Sequence, residues 1–256
     1  MRIVSLVPSL TKSLFDLGCT SDEVVGRTPW CIHPAEHVSN VVVVGGTKTP
    51  NLGKIERSKP TLIVLDRDEN PLEVYQWAQS KNIETFVCHL KHPRDVPSML
   101  KELGSHIGKY EQADYYSNGI QKALESIPAI QIRPVVLPLI WHEPLMAVSP
   151  EKYAGGIIEA IGFKVPRLEE GGTGYPIVSA RQIVENQIEG LLLSSEPHEF
   201  ALAEGEAICD EVESISGFRP WCECVNGEDL TWMGTTTMRA ISCLYEALKH
   251  RLPTQQ

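Results

Sequence analysis

The stretch Lys109–Ser126, KYEQADYYSNGIQKALES, decides the fold. Tyr116, Ile120 and Leu124 fall four residues apart, with Ala113 and Ala123 on neighbouring faces, so an apolar stripe runs along an otherwise polar surface. That spacing predicts one long helix, closed off by Pro128 and Pro134. At 1.5 Å per residue it spans roughly 27 Å, enough to cross a small domain.

On either side of this helix the same landmarks recur in the same order. The first flank has an apolar strand, RIVSLV, and a helical run ending at Leu17-Gly18. Gly45-Gly46-Thr47, Pro50, a helix through Ile55, the strand Leu62–Leu65 and acidic Glu69 follow. The second flank has VVLPLI and a helical run ending at Ile161-Gly162. Gly171-Gly172-Thr173, Pro176, a helix through Ile183, the strand Leu191–Leu193 and acidic Glu196 follow. An internal duplication of this kind fixes the architecture before any single element does. It predicts an α/β fold: two similar lobes with central parallel sheets, joined by one long backbone helix. The expected boundaries are 1–107 for the N-terminal lobe, 108–127 for the connecting helix and 128–256 for the C-terminal lobe.

Element by element, Pro8–Leu17 reads as a helix capped by Ser9 or Thr11. Val41–Val44 reads as a strand and Asn226–Trp232 as a turn. Ser179 caps a helix that runs to Asn186.

A chain of 256 residues fits one large or two modest domains. The net charge of −10 and the lack of a basic run argue against a nucleic-acid partner. No apolar stretch reaches bilayer length. Met1-Arg2-Ile3 runs straight into a strand, without a basic leader and cleavage site. The seven cysteines, an odd number, several in apolar surroundings, read as free thiols. Both features point to the cytoplasm for the sequence as it stands, or to the periplasm if a leader was removed. Cys222-Glu-Cys224 has the wrong gap for a redox or zinc motif and reads as alternate positions on a strand.

In open α/β sheets, ligands bind beyond the carboxyl ends of the strands. The loops expected there carry Trp30, Trp141, Tyr175 and Trp232, aromatic walls suited to a large, flat ligand in an interlobe cleft. Cys31, His33 and His142 share those loops, and Thr47 and Lys48 support them. His33, His142 and His198 form a second candidate set, for a transition metal, although no two have the spacing of a local chelate. Cys31 and His33 also admit a nucleophile-and-base reading, that of a cytoplasmic Cys/His enzyme. No GxSxG elbow, HExxH or Walker loop is present. Glu69 and Glu196 hold matching positions in the two halves, as paired surface acids that dock on arginines of a partner would.

RIVSLVPSLTKSLFDLG, VVGRT with CIHP, VGGTKTPNLGKI, KPTLIVLDRDEN, LLLSSEPHEF and VNGEDLTWMG together resemble the class III solute-binding proteins, the helical backbone metal receptor superfamily. The similarity is to the cobalamin-binding branch of ABC-importer receptors and covers nearly the whole chain. It implies a non-enzymatic receptor, with no required cofactor, that holds a corrinoid, haem, siderophore or metal chelate between stiffly joined lobes. It also implies an ABC-transporter permease as partner, with Glu69 and Glu196 at the positions of the docking acids.

Overall fold

The computed structural model describes residues 1–168 and 172–253. They divide into two compact units. The first comprises Met1–His89, Val96–Gly119 and Met233–Thr236. The second comprises Leu90–Asp95, Ile120–Trp232 and the segment from Thr237 onward.

The first unit contains β1 (Ile3–Ser5), α1 (Pro8–Asp16), β2 (Val24–Arg27), α2 (Ala35–Val38) and α3 (Leu52–Arg57). It continues with β3 (Leu62–Asp66), α4 (Leu72–Ser80), β4 (Glu84–Cys88) and α5 (Val96–Ile107). Helix α6 (Tyr110–Glu125) carries the chain from the first unit into the second. The second unit contains β5 (Val136–Trp141), β6 (Met146–Ala147), α7 (Tyr153–Ala160), α8 (Ala180–Glu185) and β7 (Gly190–Ser194). It ends with α9 (Leu202–Ser216), β8 (Trp221–Val225), α10 (Gly227–Thr231) and α11 (Thr237–Leu248).

The repeat seen in the sequence is a repeat of topology. The first sheet has the order β2-β1-β3-β4 and the second β6-β5-β7-β8. The third strand in each, β3 and β7, is buried at all five positions, as a parallel strand covered on both faces must be. One edge breaks the symmetry. β2 lies parallel to β1, whereas β6 returns antiparallel to β5. The second sheet is therefore mixed, because the chain leaves β5 through a short turn instead of a crossover helix.

Helix α6 buries Ala113, Ser117 and Ile120, with Tyr116 and Leu124 half-buried. Ser117 is tolerated inside because its hydroxyl lies 2.6 Å from the Ala113 carbonyl and 2.9 Å from that of Pro97. Gly104 lets α5 approach α6 closely: a Cβ there would sit 2.5 Å from that of Ala113. Helices α1 and α7 both run out into a glycine of positive φ, Gly18 at +94° and Gly162 at +109°.

Several local expectations are corrected. Helix α1 starts at Pro8 with Val7 as its cap residue and no side-chain cap, since proline at the first position needs no N–H acceptor. The Thr11 hydroxyl turns instead to the Val7 carbonyl. Val41–Val44 is not a strand; only Val43 forms a bridge, to Arg27. Asn226–Trp232 is not a simple turn but contains α10, capped by the Asn226 side chain on the Asp229 N–H at 2.9 Å. Ser179 caps α8 as expected, in a capping box with Gln182. Gly171, part of the repeated glycine landmark, lies outside the described residues.

Candidate functional site

In the second unit the parallel pairing of β5 and β7 sets Leu139 beside Leu193. Three residues past Leu139 the chain reaches His142, and five past Leu193 it reaches His198. The two imidazoles stack with centroids 5.7 Å apart and planes 18° from parallel. His142 Nδ1 is 3.3 Å and His198 Nε2 is 3.0 Å from the same atom, Oε1 of Glu204. Glu204 is in the first turn of α9, where its Oε2 accepts the Ala201 N–H at 2.6 Å. That backbone hydrogen bond, followed by the one to His198, holds the carboxyl below its usual range. Phe200, buried, points its ring edge-to-face at both histidines, at 4.6 Å from His198 and 5.9 Å from His142. Trp141 meets His198 edgewise at 6.1 Å, is 41% exposed, and is oriented by its indole N–H donating to the Glu143 carbonyl at 2.9 Å.

The neighbouring loop is tied inward. The Ser194 hydroxyl donates to the Glu196 carbonyl at 2.6 Å and accepts the Glu196 N–H at 3.2 Å. Glu196 Oε1 accepts the Trp232 indole N–H at 2.7 Å and the Thr231 hydroxyl at 3.1 Å. Trp232 is thus a buried anchor, 7% exposed, where an open aromatic wall was expected. Tyr175 is half-buried, with the Lys152 ammonium 5.0 Å above its ring.

In the first unit Cys31 is fully buried, its sulfur 3.0 Å from the Thr11 hydroxyl and 3.2 Å from that of Thr28. This corrects its reading as a ligand contact or nucleophile. Two hydroxyl groups enclose the thiol, and it pins the turn that carries Trp30, which stands 65% exposed next to it. His33 follows, half-buried. Thr47 and Lys48 are tied to the loop after β3. The Asn70 amide donates to the Thr47 carbonyl at 3.0 Å, and the Lys48 ammonium donates to the Asp68 carbonyl at 2.6 Å and lies 3.4 Å from Glu69. Asp66, buried at the end of β3, accepts the N–H groups of Asp68 and Glu69 on Oδ1 and the Cys88 thiol on Oδ2. Burial pushes its carboxyl upward, against those three hydrogen bonds.

Of the metal set, then, the fold brings together His142 and His198, and the third member is Glu204; His33 belongs to the first unit. Sequence reasoning missed Glu204. Its signal was an acid three residues past Ala201 at the start of a helical run, a capping position whose side chain reaches back over the preceding loop.

The family model described as "Periplasmic binding protein" matches residues 3–209. The chain belongs to that family. A vitamin B12-binding protein of Pectobacterium carotovorum subsp. carotovorum (strain PC1) is 22% identical over 207 residues, 78% of this chain and 73% of that one. The fold matches the periplasmic heme-binding protein RhuT from Roseiflexus sp. RS-1, apo form, with a TM-score of 0.80 at 17% identity over 97% of this chain and 98% of that one. It matches the periplasmic vitamin B12 binding protein BtuF of Vibrio cholerae equally, with a TM-score of 0.80 at 18% identity over 97% and 96%. The chain is a non-enzymatic solute-binding protein of the α/β, class III kind that its sequence resembles. Among the described residues no helix is long and apolar enough to cross a membrane.

Proposed function

We propose that the solute is a planar metal chelate of the corrinoid or haem class. The observation that carries this reading is an exposed indole in each unit: Trp30 on the loop after β2, and Trp141 as the last residue of β5, oriented by its N–H on the Glu143 carbonyl. A rigid, exposed indole offers a large stacking face at little entropic cost. We further assign His33, Thr47 and Lys48 of the first unit and Tyr175 of the second to contacts with the solute. The similarity to B12- and heme-binding proteins supports the same solute class. Titration with aquocobalamin and with haemin tests it. Binding shifts the visible spectrum of one of them and quenches tryptophan fluorescence, and Trp141→Ala weakens that affinity by roughly tenfold. No spectral change with either compound overturns the reading.

An importer receptor needs a permease. We assign the docking acids to Glu69 and Glu196, of which Glu69 is the more available, its side chain 40% exposed. Solute uptake in cells carrying Glu69→Lys should fall while solute affinity holds; unchanged uptake removes Glu69 from docking. The seven cysteines, all free, support a compartment in which thiols stay reduced. Thiol labelling of protein taken directly from cells should count all seven; a lower count places the chain in an oxidising compartment.

A further inference from the structure

We propose that His142, His198 and Glu204 form a binding site for a bare divalent transition-metal ion, built wholly within the second unit. Three donors of the right type converge. Two imidazole nitrogens face one carboxylate oxygen at 3.3 and 3.0 Å, and all three ligand atoms lie within 4.8 Å of one another. A tetrahedral ion with bonds of 2.0–2.1 Å separates its ligand atoms by about 3.3 Å, close to the spacing that each histidine nitrogen already has to the Glu204 oxygen.

The support around them is that of a metal site. Glu204 is held by the Ala201 N–H through its other oxygen, which leaves Oε1 directed at the rings. The backbone N–H of His198 donates to the Ile140 carbonyl at 3.3 Å and fixes its loop to the end of β5. Phe200 closes one side with an apolar ring. The three side chains remain 27–34% exposed, so an ion has a path in and a fourth position open to water. Two histidines and a carboxylate suit zinc, cobalt(II) or nickel(II) and disfavour magnesium and calcium, which take oxygen ligands.

A competing account makes the cluster a His198–Glu204 hydrogen bond with a neighbouring His142–Glu204 ion pair and nothing more. Cobalt(II) titration of the full chain, stripped with chelator and free of tetrapyrrole, separates the two. The expected result is one equivalent of cobalt with the strong visible bands of a four-coordinate ion, displaced by zinc. His142→Ala and His198→Ala should each weaken binding by at least about 100-fold, the upper end of what even an outer-sphere partner costs. Glu204→Gln keeps the Ala201 contact and the helix start but removes the anionic ligand, and should weaken binding by about tenfold or more. Zinc should raise the melting temperature of the native chain and not that of the two histidine variants. Cobalt uptake no greater than in the His142→Ala/His198→Ala double variant, or affinity unchanged in Glu204→Gln, overturns the site. With no tetrapyrrole in the experiment, its failure leaves the solute reading standing.

Discussion

Two loops hold the same place in the two sheets: the one after β3 in the first unit and the one after β7 in the second. Each leaves a five-residue strand that is buried throughout, and each strand ends on a buried polar residue that reaches forward to the backbone of an acid, Asp66 to Glu69 and Ser194 to Glu196. From there they diverge. Glu69 faces solvent beside Lys48, whereas Glu196 turns in and accepts from Trp232 and Thr231. The loop after β7 then adds His198, next to His142 of the loop after β5, whereas among the described residues of the first unit no stacked histidine pair is found, and β1 there runs almost directly into α1 at Pro8. A duplicated scaffold conserves the turn chemistry that ends its strands, while the residues just past the turn are free to differ.

The shared part of the comparison carries the largest expected effects. Leu65→Ala and Leu193→Ala each remove a side chain at most 2% exposed from the equivalent strand, and each should cost about 2–5 kcal/mol in urea unfolding. Costs that differ widely between the two would show that the strands are alike in burial but not in packing. The divergent part comes next. Glu196→Ala takes away a charged acceptor from the Trp232 indole N–H, which is largely buried, and should cost about 1–3 kcal/mol. A neutral result would mean that the loop after β7 is as loosely held as its counterpart.

How much of this was legible beforehand follows the same division. The order Gly-Gly-Thr, strand, acid could be read twice because strand burial and turn residues leave marks in one dimension: LIVLD and LLLS are continuous apolar runs, and Gly18 and Gly162 mark helix ends by their backbone. The antiparallel β6 could not, since a two-residue strand has no periodicity to detect. The site divides likewise. His142 and His198 are visible as loop histidines, but Glu204 joins them across a helix start, and Cys31 reads as a cleft contact or nucleophile because it shares a loop with Trp30 and His33. Its burial depends on Thr11, twenty positions away.

The end residue of β3 gives a smaller, pH-dependent contrast with Ser194, which does not titrate. Burial raises the Asp66 carboxyl above its unfolded value of about 4, so the folded state holds its proton more tightly than the unfolded one. That contribution is present below about pH 4 and is lost as pH climbs through the raised folded value. Stability of the native chain relative to Asp66→Asn should therefore fall with rising pH across this window, by less than one proton's worth of slope, in urea unfolding at several pH values. A flat difference would place the ionised carboxylate at no disadvantage, its three hydrogen bonds having offset the burial.

The smallest effect belongs to Glu69. Its partner Lys48 lies 3.4 Å away with the two side chains 40% and 61% exposed, and a pair so open to water is worth about 0–1 kcal/mol, less in salt. Glu69→Ala should leave the unfolding midpoint nearly unchanged, in contrast to Glu196→Ala. An acid that the fold does not need is free to serve a partner, and one that the fold uses is not easily spared. A loss from Glu69→Ala as large as that from Glu196→Ala would erase the contrast between the two loops, and with it the reason for ranking Glu69 first as a docking residue.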